Sequence, residues 1–272
     1  MNAPAPSLQS VFGCQHPVAL ITGSGAPRVG RAIAIELAAH GCYIALHANS
    51  SVDEAHQVAR SLTDEFGVEV IVTSGSLAGD STAEDIVGQS ADHFGRIDIV
   101  VNSAAIWSPT PLNEVTPDEI RRYVDINTIG SFMTARAAAN RMSNQPTGGS
   151  IVNIGDWATV RPYLDHAAYF PSKGAVEVMT RSLAVEFAQW NSKIRVNCVQ
   201  PGPVLLADDV PAPQQQKLAK STLSGRIGTA QHVAHAVRFL CENDFVNGVC
   251  LPVDGGRTIY APDGLQVGMN TG

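Results

Sequence analysis

An α/β fold, a parallel sheet with helices on both faces in a single domain, is what this sequence predicts, on three observations. Short β-branched runs alternate with longer helix-period segments from residue 18 to about residue 252, the pattern of successive βαβ units. A glycine-rich turn joins the first run to the first helix. At 272 residues, 44% hydrophobic and 16% charged, the chain can bury one large core, and it shows neither an internal repeat nor an interdomain linker.

The first strand is expected at 18–22, where Val18-Ala19-Leu20-Ile21-Thr22 is apolar on both faces, as a strand covered on both sides must be. Gly23-Ser24-Gly25-Ala26-Pro27-Arg28-Val29-Gly30 follows and opens a helix at 28–40. Glycines let the backbone approach a pyrophosphate, and the helix start offers unpaired N–H groups and a partial positive charge. The second strand, 42–47, completes a βαβ unit and ends in His47-Ala48-Asn49-Ser50-Ser51. A carboxylate at that place accepts the ribose 2′-hydroxyl of NAD and repels a 2′-phosphate. None is present, so Asn49, Ser50 and Ser51 favour NADP. Asp53 falls later and reads as a first-turn acid of the helix at 53–66.

Further strands are expected at 68–73, 97–102, 149–154, 194–199 and 248–252, seven in all, with helices at 81–94, 117–143, 167–190 and 230–241. Residues 203–226 break the alternation with Pro211, Pro213 and a Gln214-Gln215-Gln216 run. That segment leaves the carboxyl end of a strand, where ligands bind in open α/β sheets, and reads as a lid over the substrate.

The formal charge of −7, without a basic cluster, argues against a nucleic-acid partner. The apolar runs fall far short of the ~20 residues of a membrane helix. Residues 1–16 lack a basic n-region and an apolar h-region, so they read as a disordered leader rather than a signal peptide, and the expected location is cytoplasmic. The five cysteines lie singly and suggest no metal site. The eight histidines are scattered, with His16, His56, His232 and His235 read as surface or helix-face residues, and none is nominated for catalysis.

Tyr169 and Lys173 stand four apart in Ala168-Tyr169-Phe170-Pro171-Ser172-Lys173, so helical spacing sets them on one face. An ammonium beside a phenol favours the phenolate, so the expectation is a lowered pKa and proton exchange near neutral pH.

Together, T-G-x-x-x-x-R-x-G from Thr22 to Gly30, Asn102-Ser103-Ala104-Ala105, Asn127, Tyr169/Lys173 and Pro201-Gly202 resemble the short-chain dehydrogenase/reductase family in order and spacing, from about Val18 to Gly256. The resemblance implies a Rossmann-type doubly wound sheet over 17–257, followed by a tail at 258–272. It implies an NADP(H) site formed by Gly23, Gly25, Arg28, Val29, Gly30, Asn49, Ser50, Ser51, Leu77, Asn102, Ala104, Tyr169, Lys173, Pro201 and Gly202. In the family the matching tyrosine is the general acid/base. The lysine also holds the nicotinamide ribose, and the asparagine matching Asn127 anchors a water of the proton relay. Members are usually tetramers, with the tyrosine helix and the C-terminal region at interfaces.

Three departures stand out. The glycine loop is one residue longer than usual, Arg28 replaces the second glycine, and Asn-Ser-Ala-Ala replaces the common Asn-Asn-Ala-Gly. The sharpest difference lies after the run Ile151-Val152-Asn153-Ile154-Gly155. Asp156, thirteen positions before Tyr169, stands where most of the family has serine. Pteridine reductases, a branch of the family, carry aspartate there, and the Arg28 loop and the lid around Leu206 resemble theirs. Trp107 falls where they place a phenylalanine that sandwiches the pterin against the nicotinamide. The expected substrate site is therefore Arg28, Trp107, Asp156, Tyr169 and Leu206, with Asp156, Tyr169, Lys173 and Asn127 catalytic. The leading activity is NADPH-dependent hydride transfer to a pteridine-like C=N carbon. The alternative is reduction of a 3-oxoacyl thioester or other ketone. A nucleotide-binding protein without turnover is a different class, disfavoured by the intact Asn127, Tyr169 and Lys173.

Overall fold

Seven parallel strands form one sheet in the order β3-β2-β1-β4-β5-β6-β7 in the computed structural model, which describes residues 6–79, 81–206 and 210–260. They are β1 (Val18–Ile21), β2 (Tyr43–Ala48), β3 (Val70–Ser74), β4 (Ile99–Asn102), β5 (Gly149–Ile154), β6 (Ile194–Pro201) and β7 (Cys250–Val253). β1 pairs with both β2 and β4, Leu20 lying in register with Ala45 on one side and Val100 on the other. The strand order reverses there, the place at which open α/β sheets bind ligands beyond the carboxyl ends of their strands.

Alternation along β1 divides the core. Ala19 and Ile21 face α2 (Val29–Ala39), through Ile33 and Leu37, and α9 (Ala230–Glu242), through Val233 and Val237. Leu20 faces the opposite layer of α4 (Thr82–Phe94), α6 (Ser131–Met142) and α7 (Phe170–Trp190), through Ile86, Met142 and Phe187. The one acid inside the β4 apolar run is satisfied: Asp98 accepts from Val18 N at 2.8 Å and from both Arg96 Nε and Nη2.

Three expectations change. Residues 6–16 do not form a disordered leader, for α1 (Leu8–Phe12) is capped by Ser7 and Ser10 and buries Leu8 and Phe12 in the core. Arg96 Nη2 donates to Phe12 O at 2.9 Å and fixes its end. The helix expected over 117–143 is three pieces: α5 (Pro117–Tyr123), a π-helical turn (Val124–Gly130) and α6. The lid segment carries its own helix, α8 (Ala212–Lys220), while Ala207–Asp209 and the tail beyond Tyr260 lie outside the described residues. α3 (Val52–Phe66) begins with Asp53 and Glu54 in its first turn, as expected for acids near the positive helix end.

Candidate active site

At the carboxyl end of β5 the chain must turn under β6, and a Cβ on Gly155 would lie 2.8 Å from Cys198 Sγ. Asp156 follows in extended conformation and caps a short 3₁₀ turn, its Oδ1 accepting from Ala158 N at 2.9 Å. That bond aims Oδ2 at Tyr169, whose hydroxyl donates to it at 2.8 Å. Tyr169 lies just before α7 with helical dihedrals, so the four-residue spacing to Lys173 survives although the helix begins at Phe170. Lys173 is buried and donates through Nζ to Ile154 O at 2.7 Å, leaving two ammonium hydrogens for further partners.

The electrostatics correct one expectation. Burial pushes the Tyr169 pKa well above that of a free phenol, and the Asp156 carboxylate pushes it further by charge and by accepting the hydroxyl proton. Burial lowers the Lys173 pKa, with Asp156 opposing that shift. Tyr169 is therefore held as a phenol rather than primed as a phenolate. Sequence spacing showed the lysine but not the aromatic enclosure by Tyr123 and Phe170 that desolvates the ring.

Asn127 sits in the π-helical turn, where an inserted residue loosens the helical ladder. Its Oδ1 accepts from Ile106 N at 2.9 Å, while Nδ2 donates to Ile106 O and to Ser172 Oγ. Its side chain thus ties the Trp107 loop to α7. Trp107, half exposed, donates from Nε1 to the Tyr163 hydroxyl at 3.0 Å and stacks on His166 with ring centroids 4.6 Å apart. His166 is a residue that sequence reasoning missed. It is buried 6.4 Å centroid to centroid from Tyr169, its Nδ1 bonded to Leu164 O and its Nε2 without a partner among the described residues. Its place three residues before Tyr169 was the available signal.

The nucleotide side is assembled by close backbone approach. Gly23 has φ +66°, and a Cβ there would lie 2.7 Å from Ala104 Cα, so both positions must stay small. Thr22 Oγ1 accepts from Ser103 N and Ala104 N. A Cβ on Gly25 would lie 2.4 Å from Ser51 O, and one on Gly30 2.6 Å from Gly23 O. Arg28 occupies the N-cap of α2 without a side-chain capping bond, and Arg31 Nη2 donates to Gly25 O. The uncapped first turn beside backbone with no room for a Cβ fits a pyrophosphate. Asn49 and Ser50 are exposed, and Ser51 caps α3 without a side-chain bond. Leu77 packs where a Cβ on Gly130 would meet it at 2.8 Å.

Asn102 Nδ2 bonds Ser131 O and Asn153 Oδ1, pinning β4 to β5 and α6. Pro201 ends β6, and Gly202 passes so close to Asp254 that a Cβ would lie 2.5 Å from its Cα. The described contacts thus bond Asp156 to Tyr169, place Lys173 one turn along on Ile154 O, and set Asn127 and Trp107 one residue removed from Tyr169 through Ser172 and His166. No described contact brings Arg28 or Leu206 to that cluster.

His47 is a second residue missed at the sequence level. Its Nδ1 lies 3.4 Å from Gly23 N and its Nε2 3.0 Å from Gly75 O, stitching the glycine turn to β2 and β3. Burial lowers its pKa, opposed by the bond to Gly75 O. The unfolded ring takes up a proton near pH 6.5 and the folded ring only lower, so this contribution is complete above about pH 6.5 and is lost as pH falls below it. The thermal midpoint is expected to fall between pH 7 and 5.5, and His47→Gln to flatten that slope. An unchanged slope in the variant would contradict the assignment.

The chain is similar to known proteins along most of its length. The family model described as enoyl-(acyl carrier protein) reductase matches residues 26–258. Pteridine reductase 1 of Leishmania tarentolae is 32% identical, covering 89% of this chain and 96% of the relative. The 3-oxoacyl-[acyl-carrier-protein] reductase of Rattus norvegicus is 32% identical over 87% of this chain and 96% of its own. L-rhamnose-1-dehydrogenase of Scheffersomyces stipitis is 31% identical over 88% and 95%. Among solved structures, a variant of a Serratia marcescens short-chain dehydrogenase/reductase superposes with a TM-score of 0.81 at 30% identity, covering 90% of this chain and 98% of that one. No described helix is long and apolar enough to cross a membrane. With the parallel sheet, the glycine turn and the Tyr169/Lys173 pair in place, the chain belongs to the short-chain dehydrogenase/reductase family, oxidoreductases that act on small molecules with a nicotinamide cofactor.

Proposed function

We propose that the protein is an NADPH-dependent reductase that adds hydride to a C=N or C=O carbon while Tyr169 delivers the proton, with a pteridine-like ring as the leading substrate. The single observation that carries the reading is the Tyr169 hydroxyl bonded to Asp156 Oδ2 at 2.8 Å. Burial and the neighbouring carboxylate keep Tyr169 in the protonated form that a general acid requires. The nicotinamide supplies the hydride when bound; the protein orients it and controls the proton.

Lys173, anchored on Ile154 O, has two donors left for a ribose diol. Ser51, Asn49 and Ser50 offer hydrogen-bond donors, and no carboxylate at the end of β2 repels a 2′-phosphate. Asp156 supports a pteridine-like substrate, because a carboxylate pairs with ring nitrogens and an amino group. Trp107 adds a half-exposed indole, and an electron-poor bicycle gains about 1 kcal/mol from stacking. The resemblance to the rat 3-oxoacyl reductase supports a thioester or ketone as the second reading, on the same proton donor. A homotetramer is the assembly that the family resemblance supports, and a cytoplasmic location is the default for a sequence in which no signal-peptide pattern is read.

Calorimetric titration tests both parts. NADPH is expected to bind at least about tenfold more tightly than NADH, about 1.4 kcal/mol. With NADPH bound, a 2,4-diaminopteridine is expected to bind, and Trp107→Ala and Asp156→Ser each to weaken it. Equal or reversed cofactor affinities would remove the NADP assignment. A pteridine that fails to bind at millimolar concentration while ketones are reduced would leave the carbonyl reductase.

A further inference from the structure

Arg161 and Arg257 line an open cleft of about 260 Å³ together with Trp157, Tyr163, Ser221 and Tyr260. The Arg257 guanidinium lies 4.4 Å over the Trp157 ring, and its Nη1 donates to Ser221 Oγ. Arg161 Nη1 donates to the carbonyl oxygens of Arg257 and Tyr260. All these acceptors are neutral. Among the described residues, neither guanidinium has a carboxylate within ion-pair distance, the ion-paired arginines being Arg96, Arg121, Arg136, Arg141 and Arg238. The carboxylate of Asp254 acts on Arg257, but its oxygens accept from Gly256 N and Thr258 N in the turn they close. Each arginine keeps Nε and Nη2 donors uncommitted in the described contacts, the fork that matches a phosphate or carboxylate.

The surroundings repeat the same sign. A second cavity, of about 380 Å³, shares Ser221 and is lined by Pro213, Gln216, Lys217 and Lys220 of α8. Among the described residues, four cations and no acid therefore line two adjoining cavities in a chain of net charge −7. Placing like charges together costs free energy, which an anion between them recovers. Burial and the neighbouring Arg161 charge both depress the Arg257 pKa, the direction that an anion would reverse.

The cleft also adjoins the reacting centre. Trp157 follows Asp156, which accepts the Tyr169 hydroxyl, and Tyr163 receives the Trp107 N–H. We infer that Arg161 and Arg257 bind an anionic group, phosphate or carboxylate, carried on the end of the substrate remote from the carbon that Tyr169 serves. Lys217 and Lys220 extend the field towards an incoming anionic tail. The inference rests on the reductase reading for the identity of the ligand as substrate; anion binding at the cleft does not.

The test uses the full chain loaded with NADPH and two matched ligand pairs. Folate carries a dicarboxylate tail that pterin lacks, and acetoacetyl-coenzyme A carries phosphates that the N-acetylcysteamine thioester lacks. The tailed member of at least one pair is expected to bind about tenfold or more tightly than its partner, the usual scale of charge-assisted pairing. That advantage is expected to shrink below about threefold in Arg161→Gln and in Arg257→Met. Whichever of inorganic phosphate or succinate competes at lower concentration identifies the preferred anion. Arg161 also clamps the backbone at Tyr260, so Arg257→Met serves alone should the first variant fail to fold.

If neither pair binds at all, the reductase reading is at fault, and the cleft is then read through the indole beneath Arg257. Phosphate or succinate is expected to change tryptophan emission, and the change to vanish in Trp157→Phe and Arg257→Met. Equal affinities within both pairs, an advantage that survives both arginine variants, or the absence of an anion-dependent emission change would each overturn the inference.

Discussion

Tyr169→Phe is expected to lower turnover by about 10²–10⁴, the range associated with loss of a positioned general acid. The variant keeps the ring, and with it the edge contacts to Tyr123 and Phe170, so the fold should be undisturbed. Only the hydroxyl is lost, and Asp156 then keeps the single bond from Ala158 N. Lys173 stays anchored on Ile154 O, so the dissociation constant for NADPH should change little. Steady-state turnover beside a direct cofactor titration checks both halves. Near-normal turnover would move proton delivery to Asp156, which lies within hydrogen-bonding distance of the same place.

The second large effect is expected of Lys173→Met, and it falls on activity rather than on stability. Burial disfavours the ammonium, as its lowered pKa indicates, and methionine fills the same volume without that desolvation. The bond to Ile154 O is lost, and a carbonyl left without a partner costs about 1–3 kcal/mol, which opposes the relief of desolvation. Thermal stability is therefore expected to stay within a few degrees of the parent. Activity should not recover: cofactor affinity and turnover are both expected to fall, turnover by at least about a hundredfold, because ribose positioning and the compensating charge beside Tyr169 disappear together. A variant that melts far below the parent would mark Lys173 as structural first. One that stays folded and turns over normally would remove it from the site.

Much of this architecture was legible because the strands are buried on both faces. Val18–Ile21 is apolar without alternation and Ile151–Ile154 is so apart from Asn153, and the strand centres fall where such runs occur. Shorter pieces were not legible. α1 has only five residues, and its order depends on Phe12 reaching the core and on Arg96, distant in sequence, holding its end. The π-helical turn at Asn127 has no hydrophobic period of its own, so 117–143 reads as one helix although its hydrogen-bond ladder changes partway. Within the site, the Tyr169/Lys173 spacing and Asp156 were visible as residues. Their electrostatics were not, since the rise in the Tyr169 pKa comes from enclosure and from a carboxylate thirteen residues away in sequence. His166 and His47 were passed over because a histidine declares its role only through what its two ring nitrogens meet.

The central claim, hydride addition with Tyr169 as proton donor, is tested most directly by following transfer of deuterium from 4-deuterated NADPH into product. Oxidised pterins and 3-oxoacyl thioesters would be compared for the parent protein and Tyr169→Phe. Stoichiometric label is expected in the product of at least one of the two classes with the parent protein, at a rate at least about a hundredfold lower with the variant. Label transfer at equal rates in both proteins, or none from NADPH to either class, would contradict it.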